Sequence, residues 1–314
     1  MSTTSQGDEH TPTRGPTPVH GVTAIQVGAA GLHVEHMYGT RKPTLWWIFC
    51  SRRFETLPVN VFVVEHDDGL ILFDTGPSQS LVTDPEYWPD RVTRLFMRKI
   101  FRLHIGPEDT LAIQLEQAGY RVADVRTAVL SHLHFDHAGG IGDIPAAELL
   151  VAPEAWEHLL GPHPEREAVV RRDLDVPGAR WRQMEFVPTD DPDLAPFTEV
   201  HDVAGDGSVL VVPTPGHLPG SVSMLIRRTA APPVLLIGDL TYSEDLLQRD
   251  QVPATGDAAV LRESFAKVRA LKAHTPDLVV VASHDATAAE KLAVGPASGR
   301  PAPSDPIAAR TPTS

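Results

Sequence analysis

The chain has a single cysteine, Cys50, which excludes an internal disulfide and any cluster of thiolate metal ligands, and suits a reducing compartment. Any metal must therefore rest on histidine, aspartate or glutamate. No apolar run approaches the roughly 18 residues of a membrane helix, and no basic start followed by an apolar stretch marks a secretory leader. The expectation is a cytoplasmic protein without a membrane partner. Positive charge is also scarce: 27 Lys and Arg against 41 Asp and Glu give a formal net charge of -14. That balance argues against nucleic acid, whose protein partners carry a net basic domain or stripe. The one basic stretch, RVTRLFMRKIFRLH at 91–104, alternates cations with apolar residues at helical spacing. It is read as the solvated face of a packed helix.

What the chain does have is ample core. Its 314 residues, 42% hydrophobic, suffice for an α/β domain of ordinary size. Residues 1–20 and 291–314 are polar and proline-rich and read as disordered tails, leaving 21–290 as the folded domain. VNVFVVEHDDGLILFDTG at 59–76 reads as two strands joined by an Asp-Asp-Gly turn. TLAIQLEQAGY at 110–120 reads as a helix closed by a left-handed glycine. VRTAVLS, ELLVAPEAWEHLL, GSVLVVPTPGH, VSMLIRR, PVLLIGDL and PDLVVVASHD each begin with a strand pattern, and 257–274 forms an amphipathic helix. Four of these strands run into a residue able to bind metal: His132 onward, His217, Asp239 and His284. Strand ends are where a rigid sheet aims loop residues at one point.

The densest of these is VLSHLHFDHAGG at 129–140, with three histidines and an aspartate within six positions. On extended backbone His132 and His134 project to one side and Phe135 away from them. Asp136 and His137 follow where the chain turns into a helix start, so they face a neighbouring position. Imidazoles and carboxylates crowded beside an apolar strand repel one another and lose solvation unless a cation is present. Imidazole nitrogen and carboxylate oxygen suit zinc and other first-row divalent ions. The resulting set is His132, His134 and His217 on one ion, Asp136, His137 and His284 on a second, with Asp239 bridging. The remaining histidines considered, His33, His36, His66, His104, His158, His163, His201 and His274, are read as ordinary core or surface residues.

SHLHFDHAGG resembles the HxHxDH signature of the metallo-β-lactamase superfamily, and VVPTPGHLPGS, LLIGDLTY and VVVASHD resemble its later motifs, in order. LILFDTG at 70–76 is similar to the strand that precedes them, which implies a supporting role for Asp74. The resemblance spans about residues 21–290 and implies a four-layer αββα sandwich with a dinuclear site along one edge. Within the superfamily the wording is most similar to the quorum-quenching N-acyl homoserine lactonases. Leu133 stands where the glyoxalase II branch tends to carry histidine, and Asp239 supplies a bridging aspartate that the true β-lactamases lack. Ser283 replaces the glycine many relatives carry before the last histidine. Tyr242, three residues after Asp239, falls where the lactonases carry a tyrosine that contacts the substrate.

The resemblance thus implies opening of a lactone ring by a metal-bridging hydroxide, on two divalent ions, zinc first and iron, cobalt or manganese as alternatives. Asp136 and Tyr242 are the expected catalytic residues. The partner is a small lactone or ester, with a homodimer as an option. The alternatives are a thioesterase of glyoxalase II type, an organophosphate triesterase, and a metal-binding sensor without turnover. Leu45, Trp46, Trp47, Ile48 and Phe49, with Leu95, Phe96, Met97, Ile100 and Phe101, are candidates for an acyl-chain pocket or a subunit interface, with ordinary core packing as the competing reading.

Overall fold

Period-two alternation becomes thirteen strands among the described residues: β1 (Val19–His33), β2 (Phe54–His66), β3 (Gly69–Phe73), β4 (Phe101–His104), β5 (Val125–Val129), β6 (Glu148–Val151), β7 (Arg180–Gln183), β8 (Val187–Pro188), β9 (Glu199–Asp202), β10 (Val209–Pro213), β11 (Val222–Ile226), β12 (Val234–Leu236) and β13 (Val279–Val281). The structure is a computed structural model that describes residues 17–229 and 231–293. One sheet has seven strands in the order β4-β1-β2-β3-β5-β6-β7, and the other six in the order β13-β12-β11-β10-β9-β8. Both are mixed. β1, β2, β3 and β4 pair antiparallel, whereas β3, β5, β6 and β7 run parallel. In the second sheet only β12 and β13 are parallel.

The alternation decides which side chain faces which layer. Val209 and Val211 of β10, Met224 and Ile226 of β11, and Leu236 of β12 join the valines of β1 and β2 in the core between the sheets. Their neighbours Leu210, Val212, Leu225 and Leu235 turn outward and meet Leu261, Phe265, Val268 and Leu271. Those four lie along one face of the helix Ala258–His274, whose first turn is capped by Asp257 accepting from the amides of Ala259 and Val260. Each buried Leu or Phe there contributes about 1.5–3 kcal/mol of transfer free energy. The αββα expectation holds, with two mixed sheets inside and helices outside.

The hairpin of β2 and β3 turns at Asp67–Asp68, pairing His66 with Gly69. The helix Leu111–Gln117 is followed by Gly119 at φ +82°. Two expected boundaries move. Val19 already pairs with His66 in β1, and the helix Ala288–Leu292 runs past residue 290, because apolar positions continue on both sides of the compositional break. The rest of both expected tails, 1–16 and 294–314, lies outside the described residues.

Candidate metal centre

The strand end of β3 shapes the histidine-rich loop. The amide and hydroxyl of Thr75 both donate to the carbonyl of His137, at 2.7 and 2.9 Å, and Gly140 N–H donates to Gly76 O at 2.9 Å. Gly140 has no substitute here: a Cβ would stand 2.2 Å from the Thr75 carbonyl oxygen. The clamp turns the chain from extended His134 into the short helix Phe135–Ala138. Leu133 and Phe135 are buried, Phe135 edge-on to Trp88 and Phe101. The chain's remaining polar side chains are thereby left pointing the other way.

All seven predicted residues converge. His132 Nε2 lies 2.9 Å and His217 Nε2 3.1 Å from His134 Nδ1. His137 Nε2 and His284 Nε2 each stand 3.4 Å from Asp239 Oδ1, and His284 Nε2 3.6 Å from Asp136 Oδ2. Asp239 Oδ2 reaches back to within 3.7 Å of His217 Nε2, so its carboxylate spans the two groups. The candidate ligand atoms of His132, His134 and His217 lie within 4.8 Å of one another, as do those of Asp136, His137 and His284, and of His132, His137 and Asp239.

The outer hydrogen bonds assign the tautomers. Asp74 is fully buried, and its Oδ1 accepts from Ser131 N at 2.8 Å. Its Oδ2 accepts from Ser131 Oγ at 2.9 Å, His137 Nδ1 at 2.8 Å and Ser283 Oγ at 3.2 Å. Because the Ser131 hydroxyl proton goes to Asp74, the 2.9 Å contact with His132 must be Nδ1–H donating to Ser131 Oγ. His284 Nδ1–H donates to Pro58 O at 2.8 Å. His132, His137 and His284 therefore each use Nδ1 outward and turn Nε2, the nitrogen left to ligate, inward. His137 Nε2 and Asp239 Oδ1 are buried without a hydrogen-bond partner. Three imidazole nitrogens meet at 2.9–3.1 Å around His134 Nδ1; one Nδ1–H there can serve only one neighbour, and the lone pairs left over repel unless a cation lies among them. Four nitrogens placed tetrahedrally around zinc at about 2.0–2.1 Å would stand about 3.3 Å apart. The donor set fits divalent metal.

Charge tells the same story. Burial, reinforced by neighbouring imidazoles, pushes His134 and His217 down to about 3 and His132 well below its usual value, so these three stay neutral and free to ligate. Burial also opposes charge on His137 and His284, but Asp239, with Asp74 and Asp136 for His137 and Asp136 for His284, outweighs it and holds both raised. Asp239, despite burial, is held well below the usual carboxylate range by His284 and His137. The carboxylates create a demand for positive charge at the centre.

Tyr242 is buried, its ring 5.9 Å from that of His284. Burial first, then Asp239 and Asp136, raise its phenol well above 10, so it remains a proton donor. The reading of the other histidines holds for all but one. His33 bonds to Lys99 O, His66 to Asp206 and His201 to Glu185 O, whereas His104, His163 and His274 are exposed. His36 differs. Its ring lies 5.9 Å from Tyr242, its Nδ1 is buried without a partner, and burial, then the imidazole of His217, pushes it down to about 3. An isolated histidine 206 positions before Tyr242 carries no local signal that would have found it.

The apolar candidates divide. Residues 44–50 form a helix, Thr44–Cys50. Trp47 and Ile48 are buried, Trp47 against His33 and His36, while Leu45, Trp46 and Phe49 are exposed. In the helix Arg91–Ile100, Met97 is buried and Leu95 exposed.

Residues 55–284 match the sequence profile of the metallo-beta-lactamase superfamily. The N-acyl homoserine lactonase AttM of Rhizobium radiobacter is 29% identical over 241 residues, 73% of this chain and 82% of that protein. A probable metallo-hydrolase of Mycobacterium tuberculosis is 35% identical over 243 residues, 72% of this chain and 74% of that protein. Among solved structures, an N-acyl homoserine lactone hydrolase with N-hexanoyl-L-homoserine bound at its catalytic metal centre superposes with a TM-score of 0.69 at 23% identity, over 86% of this chain and 95% of its own. AidC, a dizinc quorum-quenching lactonase, gives 0.59 at 18% identity, over 85% and 88%. These superpositions show the fold.

Proposed function

Since the chain belongs to the metallo-β-lactamase superfamily and is a metal-dependent hydrolase, we propose that it opens the ring of N-acyl homoserine lactones, as one hydrolase domain. The lactonases among its relatives support this reading. The observation that carries it is the buried Tyr242, its ring 5.9 Å from that of His284 at the edge of the cluster. In this reading His132, His134 and His217 hold one divalent ion, Asp136, His137 and His284 another, and Asp239 both, with zinc the first candidate. Ions held there would supply Lewis acidity toward the ester carbonyl and acidify a water toward neutrality.

The protein's own groups do the rest. Tyr242 donates its hydroxyl proton in a hydrogen bond to the lactone oxygen on which negative charge develops. Asp136, the more exposed of the two cluster carboxylates at 11% of its side chain, accepts the proton that the attacking water gives up and passes it to the departing ring oxygen. Asp74, Ser131 and the Pro58 carbonyl keep the imidazoles in the tautomers described above. Leu32, Met37 and Leu246, packed with Tyr242, exclude water around the phenol.

Opening a lactone liberates one acid per turnover. Metal-loaded protein in weak buffer should release acid rapidly from short- and long-chain N-acyl homoserine lactones, and a chelated sample should not. Acid release from a thioester or phosphotriester but not from lactones, with metal retained, would move the assignment to those substrates.

A further inference from the structure

One face of the molecule departs from the rest in both charge and polarity. Five of the ten exposed large hydrophobic side chains among the described residues lie on just two helices, Thr44–Cys50 and Arg91–Ile100: Leu45, Trp46, Phe49, Val92 and Leu95. Val92 is 78% and Leu45 65% exposed. Helical spacing puts Val92, Leu95 and Lys99 on one outer face, opposite the buried Thr93 and Met97. Phe49 and Phe96 approach at 6.4 Å and join the two helices into a continuous patch.

The charge within these two segments has one sign. Segments 41–53 and 91–104 carry nine Lys and Arg and no Asp or Glu, whereas the remaining 18 cations of the chain face all 41 acids. Lys42 is engaged by Glu35 and Arg94 by the Pro85 carbonyl. Arg91, Arg98, Lys99 and Arg102 are exposed, and the Arg102 guanidinium lies over Phe54. The patch overlies the candidate centre. Beneath it Trp47 packs on His36, which packs on Tyr242, and Phe101 packs on Phe135 of the histidine-rich loop.

We propose that this basic, apolar face docks on the surface of an anionic phospholipid bilayer. Aromatic and aliphatic side chains ringed by Lys and Arg are what the interface of such a bilayer takes up: the apolar tips enter the headgroup boundary and the cations meet the lipid phosphates. A second copy seated on the same face is opposed by charge, because two-fold pairing sets the patch against itself and offers its cations no acidic partner. Docking would hold the Tyr242 side of the centre near the membrane, where a lactone bearing a long acyl chain accumulates; that last consequence alone rests on the proposed reaction.

The test is co-sedimentation of the full metal-loaded chain with vesicles of phosphatidylcholine, with and without phosphatidylglycerol, in the absence of substrate. Binding should require the anionic lipid and weaken with added salt. Two variants separate the contributions: Trp46→Ser/Phe49→Ser/Leu95→Ser keeps the charge, and Arg98→Glu/Lys99→Glu keeps the apolar surface. Each should reduce partitioning by at least about tenfold, with melting and metal content unchanged. No binding to anionic vesicles, or binding that survives both variants, overturns the proposal. So does a dimer in sedimentation equilibrium that the apolar variant dissociates, with vesicles ignored. None of these readouts involves hydrolysis, so the docking and the reaction stand or fall separately.

Discussion

Replacing Asp74 by asparagine isolates the electrostatic support of the centre from everything else that residue does. Asp74 sits at φ +67°, a left-handed conformation that asparagine tolerates as aspartate does, so the backbone is undisturbed. Alanine would add about 1–2 kcal/mol of backbone strain and confuse the result. Both Asp74 oxygens accept, one from the Ser131 amide and the other from two serine hydroxyls and His137 Nδ1–H. An asparagine NH2 must therefore meet a donor. Facing the Ser131 amide it opposes N–H with N–H. Facing His137 it drives the imidazole into the other tautomer, with a proton on Nε2 where a lone pair has to ligate. Either way one hydrogen bond to a charged acceptor is lost, about 1.5–3 kcal/mol. Metal affinity should fall about 10–100-fold. Competition against a chromophoric chelator measures the affinity, and urea denaturation of stripped protein measures the metal-free stability. An affinity within about twofold of wild type would refute the reasoning, because changes to such supporting partners cost tenfold or more.

Tyr242→Phe should lower kcat/KM on lactones by about a hundredfold while leaving metal content and melting temperature unchanged; loss of metal in step with activity would make the residue structural. Asp173, buried and accepting from the Tyr87 hydroxyl, offers a pH signature. Burial raises its carboxyl from 3.8 to about 6, against the opposing pull of Tyr87 and Arg172. A raised carboxyl binds its proton more tightly folded than unfolded, so its contribution is full below about pH 4 and is lost as pH rises through about 6, some ~3 kcal/mol in all. Urea midpoints of wild type and Asp173→Asn should diverge across that interval; parallel curves would show that Asp173 titrates normally.

The seven converging residues were legible because each stands at a strand end, where a local pattern of one to six residues fixes direction: His132 and His134 share a side through the two-residue repeat alone. Asp74 was legible only through resemblance, since nothing in LILFDTG says that four donors will meet its carboxylate. His36, and the Pro58 carbonyl that orients His284, were not legible. Each acts through a partner more than 200 positions away, a proximity that exists only after both sheets have formed. The segment 43–50, open in the sequence between pocket, interface and core, divides for a related reason: helical spacing sends Trp47 inward and Trp46 and Phe49 out.

The converging side chains come from different sheets: four from the loop after β5 in one, and His217, Asp239 and His284 from the ends of β10, β12 and β13 in the other. A bound ion is then a cross-link between halves of the sandwich, resisting their separation as a disulfide would in a chain that has only Cys50. Ligation free energy is folding free energy in such a case, about 4 kcal/mol when free metal is a thousandfold above its dissociation constant. The cellular supply of the ion would set how long the protein survives as well as whether it works.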